Sequence, residues 1–394
     1  MTRFLLSENK KNTSVISKIY SFFLAFLLAF IFSCTSKSEN VSVKTFDRNA
    51  IIDSVLNDFQ KRELTYKIDS VFLKNKFNGT VSLVKSGEKI YERTQGFEDF
   101  VTKKQLDSNS VFAIGSVSKQ FTAVMILLLQ EKGKLSVEDK VSKYLPQFQN
   151  RTFENITIQQ LLSHTSGISD SGNGLQSKPG TKFSYSNKGY RFLGEIIEKA
   201  SGKPFHENAA ELFSSLKMTH SSSAKGFAGE NLAGAYLGTP LKFERIQNMP
   251  QRLTNPSISE AAGGILSTVT DLHRWNFALY NSKVLNADSF AKFIHPEKDF
   301  EHYILGNLRY GCAIMMTRDL PFSYLHSGYV KGSPSLNVYY PSTKISLVIL
   351  SNIADESKGK NSIFAPHKAV KKAVDAMDNL VRELRGKMIK PAKD

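Results

Sequence analysis

The segment 116–132 limits the fold more than any other part of the chain. Phe121, Ala123, Val124, Met125, Ile126, Leu127, Leu128 and Leu129 occupy nearly every side of a helix here and leave it almost no polar face. Such a helix needs other elements around it, so it marks the centre of a deep core. Strand-like text lies far from it on both sides. Residues 80–84 alternate, Ser86-Gly87 turns the chain and 89–93 return, which predicts a hairpin. Residues 335–340 and 345–350, joined by a turn at 341–344, predict a second one near the other end. Helical spacing appears at 61–77, through Leu64, Ile68, Val71 and Phe72, and again at 363–385. Between 135 and 300 short helical stretches alternate with loops rich in Gly, Ser and Asn. The simplest fold is of the α/β (α+β) class: an antiparallel sheet built from both chain ends, flanked by helices, with a mainly helical region inserted. A chain of 394 residues, 41% hydrophobic and 22% charged, is globular and has ample length for one such unit.

The amino terminus predicts export. Arg3, Lys10, Lys11 and Lys18 precede the apolar run 19–32, and Ser33-Cys34 follows. A positive flank before a short apolar run is the pattern of a signal peptide; an uncleaved anchor helix is the alternative. The sequence IFSC at 31–34 resembles the bacterial lipobox, in which the Cys thiol is acylated and becomes the mature terminus. The expected organisation is a lipoprotein signal peptide at 1–33, a small polar tether at 34–60 with a weak first helix, and a folded domain at 61–390. The product would be an exported protein held at a membrane through Cys34, periplasmic or on the cell surface.

The only other cysteine is Cys312, so no Cys/His zinc site of ordinary spacing is available, and no metal or cofactor is expected. The net charge is +16. That excess attracts anionic partners, but it is spread along the chain apart from a dense stretch at 368–393, and it reads first as a solvated surface. A nucleic-acid binder has this charge in its favour and no recognisable module.

Three short elements carry chemistry. Ser116-Val-Ser-Lys119 sits where an extended segment ends and the apolar helix begins. Ser-x-x-Lys alone means little, since the same spacing starts at Ser7, Ser82, Ser86, Ser214, Ser222, Ser289 and Ser357. Its place separates Ser116 from the others: free N–H groups and the helix dipole favour developing negative charge there. Lys119 is one turn on, and the apolar surroundings would lower its pKa enough to take a proton from the serine. The second element is Tyr185-Ser186-Asn187, on a turn before a helical stretch, where a phenol can shuttle protons and an amide can orient a carbonyl. The third is His326-Ser327-Gly328, after Tyr324-Leu325 on a predicted edge strand, with a glycine that lets a substrate approach the backbone. Each has a plain structural reading: an N-cap serine, loop residues, a packed histidine.

Taken in this order, the three resemble the serine β-lactamase and penicillin-binding-protein family, in its class C β-lactamase, D-Ala-D-Ala carboxypeptidase and esterase branch. That family reads S-x-x-K, Y-x-N and [KH]-[TS]-G. The runs QLLSHTSGI at 160–168, AGGILST at 262–268 and LVILSN at 347–352 add to the resemblance, which extends from 77 to 352. It implies that Ser116 is the acylated nucleophile, that Lys119 and Tyr185 move its proton, and that Asn187 binds the substrate amide. It implies that His326 aids Tyr185 or binds a substrate carboxylate, and that backbone N–H groups of Ser116 and Tyr329, beside Gly328, form the oxyanion hole. The expected activity is hydrolysis of an ester, amide or β-lactam by a monomer, on a small molecule or a peptidoglycan peptide. D-Ala-D-Ala carboxypeptidase, true β-lactamase and a non-catalytic penicillin- or wall-binding protein are the alternatives.

Two departures bear on the substrate. The third motif is His-Ser-Gly where β-lactamases of this branch carry Lys-Thr-Gly, and an imidazole with an ordinary pKa of about 6.5 holds a carboxylate less firmly than a permanent ammonium. Tyr329 also stands where a small residue is common. Together they favour neutral esters over penicillins.

Overall fold

The computed structural model describes residues 48–389. The expected signal peptide, Cys34 and the first part of the expected tether lie outside them. Helix α1 spans Arg48–Asn75 and buries Ile52, Leu56, Gln60, Leu64, Ile68 and Phe72, one residue in every four. The weak first helix expected within 34–60 is the start of this long helix. A four-residue repeat of packed side chains makes that stretch helical from Arg48 onward.

The main sheet holds β1 (Gly79–Lys85), β2 (Glu88–Gln95), β3 (Lys298–His302), β4 (Gly306–Tyr310), β5 (Met315–Thr317), β6 (Tyr324–Val330), β7 (Ser333–Tyr340) and β8 (Ile345–Ser351). Its order is β3-β4-β5-β6-β7-β8-β1-β2, every neighbouring pair antiparallel. The two chain ends meet where Gly79 pairs with Ser351 and Lys85 with Ile345. Both predicted hairpins are present. The strands β3 and β4 escaped the sequence reading because they are half-exposed and carry charged side chains. The predicted edge strand β6 pairs with β7 along its whole length and is interior at Tyr324 and Leu325, which also pair with β5.

The side chains of β8 are all buried and alternate between two cores, which shows how the layers form. Leu347 and Ile349 join the core under α1 and the C-terminal helix, with Val370, Val374 and Met377. Val348 and Leu350 point into the other core, built on the helix α2 (Ser118–Glu131). That core also takes in α3 (Asn187–Ser201), α4 (Phe205–Ser215) and α5 (Val269–Tyr280). Both faces of the strand are covered, which is why it reads as an unbroken apolar run. Inside α2, Phe121 packs on Trp275 with ring centroids 4.2 Å apart.

Candidate active site

Ser116 lies in a short 3-10 turn, Gly115–Val117, that leads into α2. It is partly exposed between buried neighbours. The sheet fixes this turn from beneath: Ser333 Oγ donates to the Ala113 carbonyl at 2.8 Å and Ser335 Oγ to the Ile114 carbonyl at 2.7 Å. Two glycines let the turn and strand β6 touch. A Cβ on Gly328 would sit 2.0 Å from the Ile114 oxygen, and one on Gly115, where φ is +53°, would sit 2.6 Å from the Tyr329 nitrogen. Only glycine permits this approach, and it brings the Tyr329 amide beside the residue preceding Ser116.

Lys119 is fully buried. Its Nζ lies 3.1 Å from Ser116 Oγ, 2.8 Å from Asn187 Oδ1 and 2.6 Å from the Ala262 carbonyl. Burial lowers its pKa to about 7, and the Asp170 carboxylate opposes that shift. As an ammonium Nζ donates to all three oxygens; as the neutral amine it keeps its two hydrogens on the carbonyl oxygens and turns its lone pair to the serine.

Tyr185 has 36% of its surface exposed, and its ring centroid is 4.9 Å from the Lys119 ammonium position. Desolvation raises the phenol pKa above its ordinary value, against a smaller downward pull from Ser116. The group is therefore a protonated phenol at neutral pH. Asn187 opens α3 behind the cap Ser186, whose Oγ accepts from Gly189 N.

Asp170 holds this helix start. Its carboxylate accepts from Ser186 Oγ, from the backbone N–H groups of Asn187 and Lys188, and from Asn187 Nδ2 at 2.8–3.1 Å. A carboxylate at a helix N-terminus is favourable, and here it also aims the Asn187 amide so that its oxygen faces Lys119. The sequence reading missed Asp170, which stands 17 residues before Asn187 in a Ser/Gly loop with no spacing signal. It also assigned no role to Ala262, whose contribution is a backbone carbonyl.

His326 differs from expectation. It is fully buried: Nδ1 donates to the Ser327 carbonyl at 2.7 Å and Nε2 accepts from the Tyr310 hydroxyl at 3.1 Å. Burial, helped by Lys119, pushes its pKa down to about 3. The expected titration near 6.5 is thus corrected: the ring stays neutral because no water reaches it. The Tyr329 phenol bonds to Glu356 and accepts from Gly332 N at 3.2 Å. Cys312 is buried and unpaired, its thiol pushed up to about 12. Among the described residues no three His, Cys, Asp or Glu side chains are grouped to hold a metal, and no helix is long and apolar enough to cross a membrane.

A sequence model described as Beta-lactamase matches residues 71–366. The chain belongs to the β-lactamase family. That family includes penicillin-binding-protein relatives. Penicillin-binding protein 4* of Bacillus subtilis (strain 168) is 28% identical over 356 residues, 77% of this chain and 74% of that one. Teichoic acid D-alanine hydrolase of Staphylococcus aureus (strain MRSA252) is 26% identical, covering 76% of each chain. The fold is also that of the crystal structure of a penicillin-binding protein from Bacillus halodurans, with a TM-score of 0.66 and 23% identity over 79% of this chain and 99% of that one.

Proposed function

We propose that this member of the family is a serine hydrolase that works through an acyl-enzyme on Ser116. The observation that carries the reading is the buried Lys119 amine, 3.1 Å from Ser116 Oγ with its pKa lowered to about 7. Ser116 Oγ attacks the substrate carbonyl carbon and its proton passes to Lys119 Nζ. The N–H groups of Ser116 and Tyr329 receive the oxyanion, and such donors each lower a barrier by about 3–4 kcal/mol. Tyr185 gives its phenolic proton to the departing oxygen or nitrogen and regains one from Lys119. Water then attacks the acyl carbonyl, a proton returns to Ser116 Oγ, and the acid is released.

The neutral, enclosed His326 guides the choice of substrate. It offers no positive charge to a substrate carboxylate. Esters and amides without a carboxylate beside the scissile bond suit this site better than penicillins or D-Ala-D-Ala peptides. A D-alanyl ester, the substrate class in the name of the Staphylococcus aureus relative, belongs to the favoured group. The basic flank, the apolar run 19–32 and Cys34 support a reading in which the enzyme is exported, tethered to a membrane and acts at the cell envelope.

The test is side-by-side labelling with a fluorophosphonate and a fluorescent penicillin, together with kcat/KM for a p-nitrophenyl ester and a penicillin. Serine-directed labelling with ester turnover well above penicillin turnover supports the reading. No serine labelling sinks it, and a penicillin cleaved far faster than the ester overturns the substrate assignment.

A further inference from the structure

His164, in the run Ser163-His-Thr-Ser-Gly167, has no part in the chemistry above, yet it meets the segment Ser184–Ser186 at three points, one of them the Tyr185 ring. Its backbone carbonyl accepts from Ser184 N at 2.7 Å, and its ring Nδ1 accepts from Ser186 N at 3.1 Å. Those are the amides on either side of Tyr185. The ring itself lies under the Tyr185 ring, with centroids 4.2 Å apart. In extended backbone, N–H groups two residues apart point to the same edge, so one residue meets both only if its carbonyl and side chain turn the same way. His164 does this with φ at +57°, a conformation costly for a residue with a side chain and kept only where the surroundings enforce it. The Ser186 bond fixes the neutral tautomer, with the proton on Nε2. That nitrogen is buried, has no hydrogen-bond partner, and belongs to a ring packed on Tyr190 and Tyr310, each 5.0 Å away.

We infer that His164 is a positioning residue for Tyr185: it clamps the backbone on both sides of the phenol and supports its ring, so that the hydroxyl stays within reach of Ser116. This rests on the reading of Tyr185 as the proton donor. A histidine that merely fills space has no reason to adopt the left-handed conformation or to spend its ring acceptor on the amide next to the phenol. Burial keeps the ring from taking up a proton, with Lys119 and His326 adding to that effect, so Nδ1 remains an acceptor through the neutral range.

The test uses two variants that accept the left-handed backbone. His164→Asn keeps an acceptor near the Nδ1 position and loses the ring; His164→Gly loses both. Hydrogen–deuterium exchange at the Ser186 amide is expected to be faster in His164→Gly and close to wild type in His164→Asn. Sites counted by fluorophosphonate titration are expected to show kcat lowered roughly tenfold to hundredfold in His164→Gly, with KM little changed and much of the loss recovered in His164→Asn. Unchanged exchange at Ser186, or a His164→Gly enzyme whose titrated sites turn over at the wild-type rate, overturns the proposal. A wild type that forms no serine adduct while the exchange pattern appears as described sinks the hydrolase reading and leaves the clamp standing.

Discussion

Lys119 and Asn187 are joined by a 2.8 Å hydrogen bond from Nζ to Oδ1, and this bond ties the start of the central helix α2 to the start of α3. It leaves the lysine's third direction for Ser116, since the Ala262 carbonyl takes another. Lys119 is buried where water would otherwise hold it charged, and the proposed reactivity of the site rests on that.

Acylation is expected to gain rate as pH rises through about 7. Lys119 accepts the serine proton only as a neutral amine, and its pKa is lowered to about 7. Below that value the rate should fall about tenfold per pH unit, and above it the rate should level off. Tyr185, its pKa raised, keeps its proton throughout and adds no fall in the neutral range. Pre-steady-state acylation rates from pH 5.5 to 9 give the profile. A flat profile, or one that falls with pH, contradicts the role of Lys119.

Asp170→Asn is expected to move that profile to lower pH. The carboxylate raises the Lys119 pKa against the larger effect of burial, so removing its charge lowers it further. The same change weakens the bonds to Ser186, Asn187 and Lys188 and is expected to cost about 1 kcal/mol of stability. Thermal melts and acylation profiles of the two proteins measure both effects. A shift to higher pH would contradict the electrostatics.

His326 is expected to act as a packed neutral group. His326→Ala leaves the buried Tyr310 hydroxyl without its acceptor, at a cost of about 1–3 kcal/mol. For the wild type, the ratio of turnover on a neutral ester to turnover on a carboxylate-bearing substrate should stay constant between pH 5 and 8. A step in that ratio near pH 6.5 would show that the imidazole titrates against the substrate.

The sequence was most legible where packing is one-sided or complete. The apolar helix α2, the hairpin strands β1, β2, β7 and β8 and the C-terminal helix all carry either a clear period or an unbroken apolar run, and all are present. The strands β3 and β4 were not legible, because half-exposed strands with Lys298, Glu301 and Arg309 carry little apolar alternation. At the site, short motifs pointed to Ser116, Lys119 and Asn187, which the fold brings into hydrogen-bond contact. Asp170 left no such trace, and His164 stood only inside the run 160–168, with nothing there to show its role. One works through a carboxylate from a distant loop and the other through a backbone carbonyl and an unusual φ, and neither depends on a spacing that a linear reading detects. The state of His326 was missed for a related reason: its identity suggests a titrating group, and only the packing of β6 against Tyr310 shows that it is dry.

The central claim is that Ser116 carries the acyl group. Intact-protein and peptide mass spectrometry after a fluorophosphonate or activated-ester pulse tests it directly, in wild type and in a Ser116→Ala protein checked for a native melting transition. The expected result is one adduct per chain, located on Ser116, and none in Ser116→Ala. An adduct on another residue, or equal labelling of the folded Ser116→Ala protein, would contradict the account.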